Sequence, residues 1–407
     1  MRLIYADNNA TTAVAPEVVE AMEPYFRQWY FNPSSMYEPA RQVAQAVAQA
    51  RAAIARHLGV ADPQEIIFTA CATESNNAAI QGAARARPDR RHIITTAVEH
   101  PAVLEVCKEM QRLGYEVTFL RVDRHGNLDI AEYIRALRPD TLLVTVMHAN
   151  NETGVIFPVA QLARIAKETD PGIVFHTDAT QSVGKLPIDL SGEFRYVDLL
   201  SFSGHKLHAP KGIGVLYVRR GTPWRPFLIG GHQEQGRRAG TENVPYIIGL
   251  ARAMDLVMAD RAEQEERLAR LRDRLESALL QQIPALEING RGAPRLANTL
   301  NLSCHYIEGE AILYQLSAEG ICASSGSACT SGSLEPSHVL RAMGVPFTAI
   351  HGSVRFSFSR YTTDQDVERI IQVFPEIVRK LRRMSPYWDS EQNRPRPTAP
   401  VAAISSP

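Results

Sequence analysis

The sequence has no excess charge of either sign: 44 Lys and Arg residues stand against 44 Asp and Glu residues in 407. A nucleic-acid or anionic-membrane partner therefore has no electrostatic support. No apolar run approaches the roughly 18 residues needed to span a bilayer. The opening segment, Met1 to Asp7, is too short and too polar for the apolar core of a secretory signal. These absences lead to the expectation of a cytoplasmic protein with no nucleic-acid or membrane partner. Cysteine is scarce. Cys71, Cys107, Cys304, Cys322 and Cys329 are odd in number, widely spread and without a CxxC pair. That pattern suits neither a disulfide framework nor a structural zinc site, and it fits a reducing compartment. His205 and His208 stand three apart, but no third ligand is near them in sequence. Neither GxxxxGK[ST] nor GxGxxG occurs, which argues against a nucleotide site.

What is present reads as a globular enzyme. Hydrophobic residues make up 45% and charged residues 22%, and the length suggests two or three domains at roughly 150 residues each. Apolar periodicity predicts helices over 39–57, 74–86, 102–113, 130–137 and 159–169. Strands are predicted over 64–69, 92–96, 116–122, 141–147 and 172–176. Strands separated by helices of this length imply a mainly parallel sheet with right-handed crossovers, which collects ligands at the carboxyl ends of its strands. From Val244 the pattern changes. Residues 247–280 read as one long charged helix, a coiled coil or an amphipathic linker, with Leu268, Leu271 and Leu275 along it. Strands over 298–303 and 352–358, with helices over 308–319 and 364–384, make a smaller α+β region. The proline-rich, apolar-poor end of the chain is expected to be disordered.

The chemistry gathers at predicted strand ends. Lys206 closes the run Ser201-Phe202-Ser203-Gly204-His205-Lys206 behind a short apolar stretch. A lysine among small polar neighbours can hold an aldehyde cofactor as a Schiff base; the plainer alternative is a surface lysine in a polar turn. Upstream, the apolar strand at Val174 ends in Asp178. An aspartate there suits a protonated pyridinium nitrogen, and lysine with aspartate is the pairing that pyridoxal phosphate (PLP) needs. The run from Phe68 to Asn77, with Thr73 where a helix opens, forms an anion site, an ordinary N-cap, or both. His100 follows another strand and could stack or move a proton. The run Ser324 to Ser333 is small, polar and glycine-containing. It should be mobile, and a cysteine in it, Cys329, is available as a nucleophile unless its exposure is incidental.

Seven ordered motifs resemble the cysteine desulfurases: Tyr5-Ala6-Asp7-Asn8-Asn9-Ala10-Thr11-Thr12, Thr73-Glu74-Ser75-Asn76-Asn77, Asn150-Asn151-Glu152-Thr153-Gly154, His176-Thr177-Asp178, Ser203-Gly204-His205-Lys206, Gly236-Arg237-Arg238-Ala239-Gly240-Thr241-Glu242-Asn243 and Ser325-Gly326-Ser327-Ala328-Cys329. The resemblance runs from residue 3 to about 386. Cys71-Ala72-Thr73, His208-Ala209-Pro210-Lys211 and Ser385-Pro386-Tyr387-Trp388 resemble the NifS type, which serves nitrogenase maturation. The resemblance implies an α/β fold of the fold-type-I PLP-dependent transferases and a homodimer. It implies a large domain over 15–260 and a small domain of 1–14 and 261–386 carrying a mobile cysteine loop near 322–334; the composition of residues 387–407 leads to the expectation of a disordered tail. For the cofactor it implies Lys206 as the covalent anchor, Asp178 at the ring nitrogen, and Gln181 and Asn151 near the ring oxygen. His100 would stack on the ring, with Ala72, Thr73, Ser203 and His205 on the phosphate and Thr241 reaching the phosphate of the neighbouring subunit. Asn32, Asn151 and Arg355 would hold the substrate, with Arg360 the alternative for its carboxylate. Cys329 would attack the sulfur of L-cysteine, with His100 as proton acceptor. It would then pass a persulfide to an iron–sulfur scaffold or another acceptor protein, serving as a transient iron–sulfur ligand during transfer. A selenocysteine lyase and a PLP aminotransferase of the same fold remain as alternatives.

Overall fold

The computed structural model describes residues 2–325 and 336–397. A short strand, β1 (Ile4–Tyr5), precedes the seven strands of the main sheet: β2 (Ile66–Thr69), β3 (His92–Thr96), β4 (Glu116–Leu120), β5 (Thr141–Thr145), β6 (Val174–Asp178), β7 (Leu199–Ser203) and β8 (Gly214–Val218). Their spatial order is β2-β8-β7-β6-β5-β3-β4. β4, β3, β5, β6 and β7 run parallel, whereas β8 is antiparallel to both of its neighbours. The mainly parallel sheet and fold-type-I class expected from sequence are the ones found. β8 was not expected. It follows β7 without a crossover helix, so it breaks the strand–helix rhythm on which the reading relied.

Period-two alternation sorts the strand residues between two cores. Ile67, Ile93, Leu143, Val174, Leu199 and Leu216 pack on one face beneath the helices Ala72–Ala86 and Pro101–Arg112. Ile66, Ile94, Val144, Phe175, Leu200 and Val215 pack on the other, under the helices Glu38–His57 and Val244–Ala259. With both faces covered, the central strands are buried throughout.

A second, antiparallel sheet follows: β9 (Leu286–Asn289), β10 (Thr299–Cys304) and, after β11 (Ile321–Cys322), β12 (Ser353–Ser357), in the order β12-β10-β9. β1 pairs with β11, so Ile4 and Ala6 join the core of this region. The long helix expected over 247–280 is two helices, Val244–Ala259 and Arg261–Gln282. The break falls at Asp260, whose carboxylate accepts from Gln264 and Arg360. Leu250 and Met254 before it pack in the main core, and Leu271 and Leu275 after it pack in the second. One helix cannot serve both cores. We propose this change of core as the boundary between a large unit over 15–260 and a small one of 1–14 and 261–386.

The expectation of disorder from residue 387 is corrected at its start. Trp388 is 2% exposed, with the Arg382 guanidinium 3.9 Å from its ring centre, and β13 (Trp388–Asp389) pairs with β14 (Arg394–Pro395). Burying one large aromatic ring supplies what the composition of the rest of the tail lacks. Among the described residues no helix is long and apolar enough to cross a membrane.

Candidate active site

A cleft of about 390 Å³ opens where β3, β5, β6 and β7 end. Asp178 is the last residue of β6 and Ser203 the last of β7. The chain then turns through Gly204–Lys206. A Cβ on Gly204 would lie 2.8 Å from Ile213 and 3.0 Å from Ala209, so only glycine lets the turn sit this close to the core. The turn brings Lys206 into the cleft, where its Nζ donates to the carbonyls of Asn9 (2.6 Å) and Ala10 (2.7 Å).

The Asp178 carboxylate is fixed on both oxygens, by Asn76 Nδ2 at 2.7 Å and by the Thr180 backbone N–H at 2.9 Å. Asn76 stands on the helix Ala72–Ala86, one turn after Thr73. The residue before that helix, Cys71, makes no side-chain cap, and Ala72 and Thr73 of its first turn line the cleft, where a helix N-terminus favours an anion. Four buried polar atoms here lack a hydrogen-bond partner among the described residues: Ser203 Oγ, Thr180 Oγ1, Asn76 Oδ1 and Asn151 Oδ1. Each costs about 1–3 kcal/mol if left unmet. Together with a lysine, a fixed carboxylate and a helix N-terminus, they fit a polar, phosphate-bearing ligand.

His100 closes another side. Its Nδ1 accepts from the Ala102 N–H at 3.1 Å and so caps the helix Pro101–Arg112. Burial, chiefly, depresses its pKa, with the Asp178 charge opposing. The neutral ring then carries its proton on Nε2 and offers a donor. The role expected for His100 as proton acceptor for Cys329 involves a partner that lies outside the described residues. Its neighbour Glu99 turns inward, accepting from Thr96 Oγ1 and the Met147 N–H, and burial pushes its pKa up to about 8.

On the opposite wall stands Arg355 of β12, 2% exposed. It donates to Asp7 Oδ1 (2.6 Å) and to the Asn151 carbonyl (2.8 Å). The structure thus brings Ala72, Thr73, His100, Asn151, Asp178, Gln181, Ser203, His205, Lys206 and Arg355 around one cleft. Asn32 and Thr241 are not among its lining residues; both are exposed. Thr241 sits on a segment anchored by two ion pairs, Arg51–Glu234 and Arg238–Glu74. Arg360 lines a smaller cavity behind the cleft and pairs with Asp260. Cys329, both as nucleophile and as transient iron–sulfur ligand, lies outside the described residues. Of the other cysteines, Cys107 and Cys304 are buried, and burial pushes both thiols up to about 12, which makes them poor nucleophiles.

Sequence alone missed Asn9, Asn76 and Lys185. Asn76 was within reach, because Thr73 and Asn76 share a helix face. Asn9 was not. Its carbonyl meets Lys206 and Gln181, and its side chain meets Thr299, all distant in sequence.

The chain belongs to the class-V aminotransferase family, which it matches over residues 4–370. Among its relatives is a cysteine desulfurase of Trichormus azollae, 56% identical over 391 residues that cover 96% of each chain. The cysteine desulfurase NifS of Azotobacter vinelandii is 52% identical over 385 residues, 95% of each. Among solved structures, a NifS-like protein superposes with a TM-score of 0.87 at 38% identity, covering 93% of this chain and all of that one. SspA in complex with cysteine gives 0.78 at 36% identity, covering 88% of this chain and all of that one.

Proposed function

We propose that the protein is a cysteine desulfurase of the NifS type. It converts L-cysteine to L-alanine and supplies sulfur, as a persulfide on Cys329, to iron–sulfur cluster assembly, with nitrogenase maturation as its setting. The observation that carries this reading is Lys206 and a doubly hydrogen-bonded Asp178 lining one cleft, in a chain most of whose length matches cysteine desulfurases.

The residues fit PLP. Lys206 would anchor its aldehyde carbon and Asp178 would face its ring nitrogen. Thr73, Ser203, His205 and the N-terminus of the helix Ala72–Ala86 would take its phosphate, Gln181 its ring oxygen and His100 its ring face. When bound, PLP supplies an electron sink for bonds broken at the α- and β-carbons of the substrate. The chain supplies the rest. Arg355 takes the substrate carboxylate in exchange for Asp7. The Lys206 amine, which lines the same cleft as Arg355, would move the α-proton. His100, with its proton on Nε2, stands as a donor. The Cys329 thiolate bonds to the substrate sulfur as that sulfur leaves the β-carbon. Protonation of that carbon then gives alanine, so each turnover produces one persulfide and one alanine.

Asn32 and Thr241 complete the site from a second copy in this proposal. The exposed Tyr30 (69%), Met36 (87%) and Ile229 (86%) lie near them in sequence and support an apolar dimer contact. The test presents L-cysteine, L-selenocysteine and an amino acid with a 2-oxo acid acceptor in parallel. Alanine formation from L-cysteine is the expected result. Turnover of selenocysteine alone, or amino transfer without sulfur release, would overturn the assignment.

A further inference from the structure

Behind the wall formed by Gln181 and Lys206 lies a cavity of about 70 Å³. Lys206 lines both this cavity and the cleft, Gln181 only the cleft, and Lys185 only the rear cavity. Gln181 and Lys185 are four apart in a tight run of turns in which Val183 N bonds Ala179 O and Lys185 N bonds Ser182 O. Gly184, at φ +77°, carries the chain between them. A Cβ there would lie 2.8 Å from Val257. The backbone therefore delivers both side chains to one place.

Lys185 Nζ donates to Gln181 Oε1 at 2.8 Å and reaches Asn9 Oδ1 at 3.4 Å. Gln181 Nε2 donates to the Asn9 carbonyl at 3.0 Å. These contacts fix the carboxamide in one orientation. Reversed, it would set an amide donor against an ammonium and a carbonyl against a carbonyl. With Oε1 engaged by Lys185 and one N–H by Asn9, the other Nε2 N–H is what Gln181 has left to offer the cleft.

We propose that Lys185 is a positioning residue that holds Gln181 as a hydrogen-bond donor toward the anionic ring oxygen of the cofactor. This rests on the reading of the cleft as a PLP site. Among the described residues, the charged groups that bear on Lys185 are basic. Lys206 and Arg355 act on it, Arg360 shares its cavity and His208 feels its charge. Burial first, and then Lys206 and Arg355, lower its pKa to about 7. Among the described residues no carboxylate pairs with it, which makes an ammonium here costly, and its acceptors are the two carboxamide oxygens of Gln181 and Asn9.

The test uses the PLP-loaded holoenzyme and reads the pH midpoint of the cofactor's visible absorption band, in a cycle of Lys185→Met, Gln181→Leu and the double variant. A donor to the ring oxygen favours the state that lacks the neighbouring proton, so losing its alignment raises the midpoint. Lys185→Met is expected to raise it by about half to one pH unit. In the Gln181→Leu background it is expected to add nothing. Lys185→Arg is expected to restore the wild-type midpoint, and Lys185→Gln gives the same comparison should the methionine variant not fold. An equal shift in both backgrounds would mean that the charge acts directly on Lys206, and no shift would mean that Gln181 needs no support; either result overturns the proposal. A wild-type protein that binds no PLP would instead sink the cofactor reading itself.

Discussion

The wall of the cleft built by the seven-stranded sheet and the wall reached by the small antiparallel sheet hold their polar groups in different ways. On the first, Asp178, Ser203 and Lys206 come from strand ends and the turn that follows them, and hydroxyls such as Ser203 Oγ and Thr180 Oγ1 are buried without partners among the described residues. On the second, Arg355 is already engaged by Asp7 and Asn151. Unmet groups suit a resident ligand that stays bound. A guanidinium that must give up one carboxylate to take another suits a substrate that comes and goes, since the exchange offsets much of the gain on binding.

Removing the residues that define each wall sharpens this contrast. The largest effect is expected on the first wall. Lys206→Ala should cut turnover by about 10⁴-fold, the upper range for a positioned proton-transfer group, and abolish covalent cofactor attachment. Alanine release from L-cysteine, together with borohydride trapping, checks it. On the second wall, Arg355→Ala should cost about 3 kcal/mol of stability in urea unfolding, because it leaves Asp7 without its cation. Arg355→Lys should fold and show KM raised about tenfold with a smaller change in kcat, the equivalent of about 1.4 kcal/mol of carboxylate binding. A fall in kcat alone would put Arg355 on the wrong side of the comparison.

Glu99 probes the polar layer behind the first wall. Its folded pKa of about 8 lies above the ordinary 4.5. Between these values the folded chain keeps a proton that the unfolded chain releases, so stability falls as pH rises through that window. The contribution is on the order of a few kcal/mol, at about 1.4 kcal/mol per pKa unit. Glu99→Gln should flatten the loss of stability between pH 5 and pH 8, as unfolding midpoints would record; an unchanged slope would mean that Glu99 is ionised in the folded state. The smallest effect on the chain itself is expected at the exposed Thr241. Thr241→Ala should change stability by no more than about 0.5 kcal/mol yet weaken PLP retention, and more so on dilution. Cofactor retention by a sedimenting monomer would remove Thr241 from the site.

The first wall was legible in the sequence because its chemistry is local. The Ser203 to Lys206 run, His176-Thr177-Asp178 and the opening of the helix at Ala72 each carry their residues within a few positions of a strand or helix end. The second wall was not legible from pattern alone. Arg355 and Asp7 meet across 348 residues through the pairing of β1 with β11 and of β12 with β10, and only the family resemblance pointed to Arg355. Periodicity also joined two helices across Asp260, because a charged helical pattern does not reveal that its apolar face changes core. Trp388 was read with the tail because composition weighed the whole segment, and one buried ring decides its start.

In the proposed reaction, sulfur leaves L-cysteine and arrives on Cys329. Mass spectrometry of the PLP-loaded protein after one turnover with L-cysteine, with alanine measured in the same sample, tests it most directly. One added sulfur is expected on the peptide that contains Cys329, matched one for one by alanine, and neither product in Cys329→Ala. Sulfur on Cys71 instead, or alanine at full yield from Cys329→Ala, would contradict it.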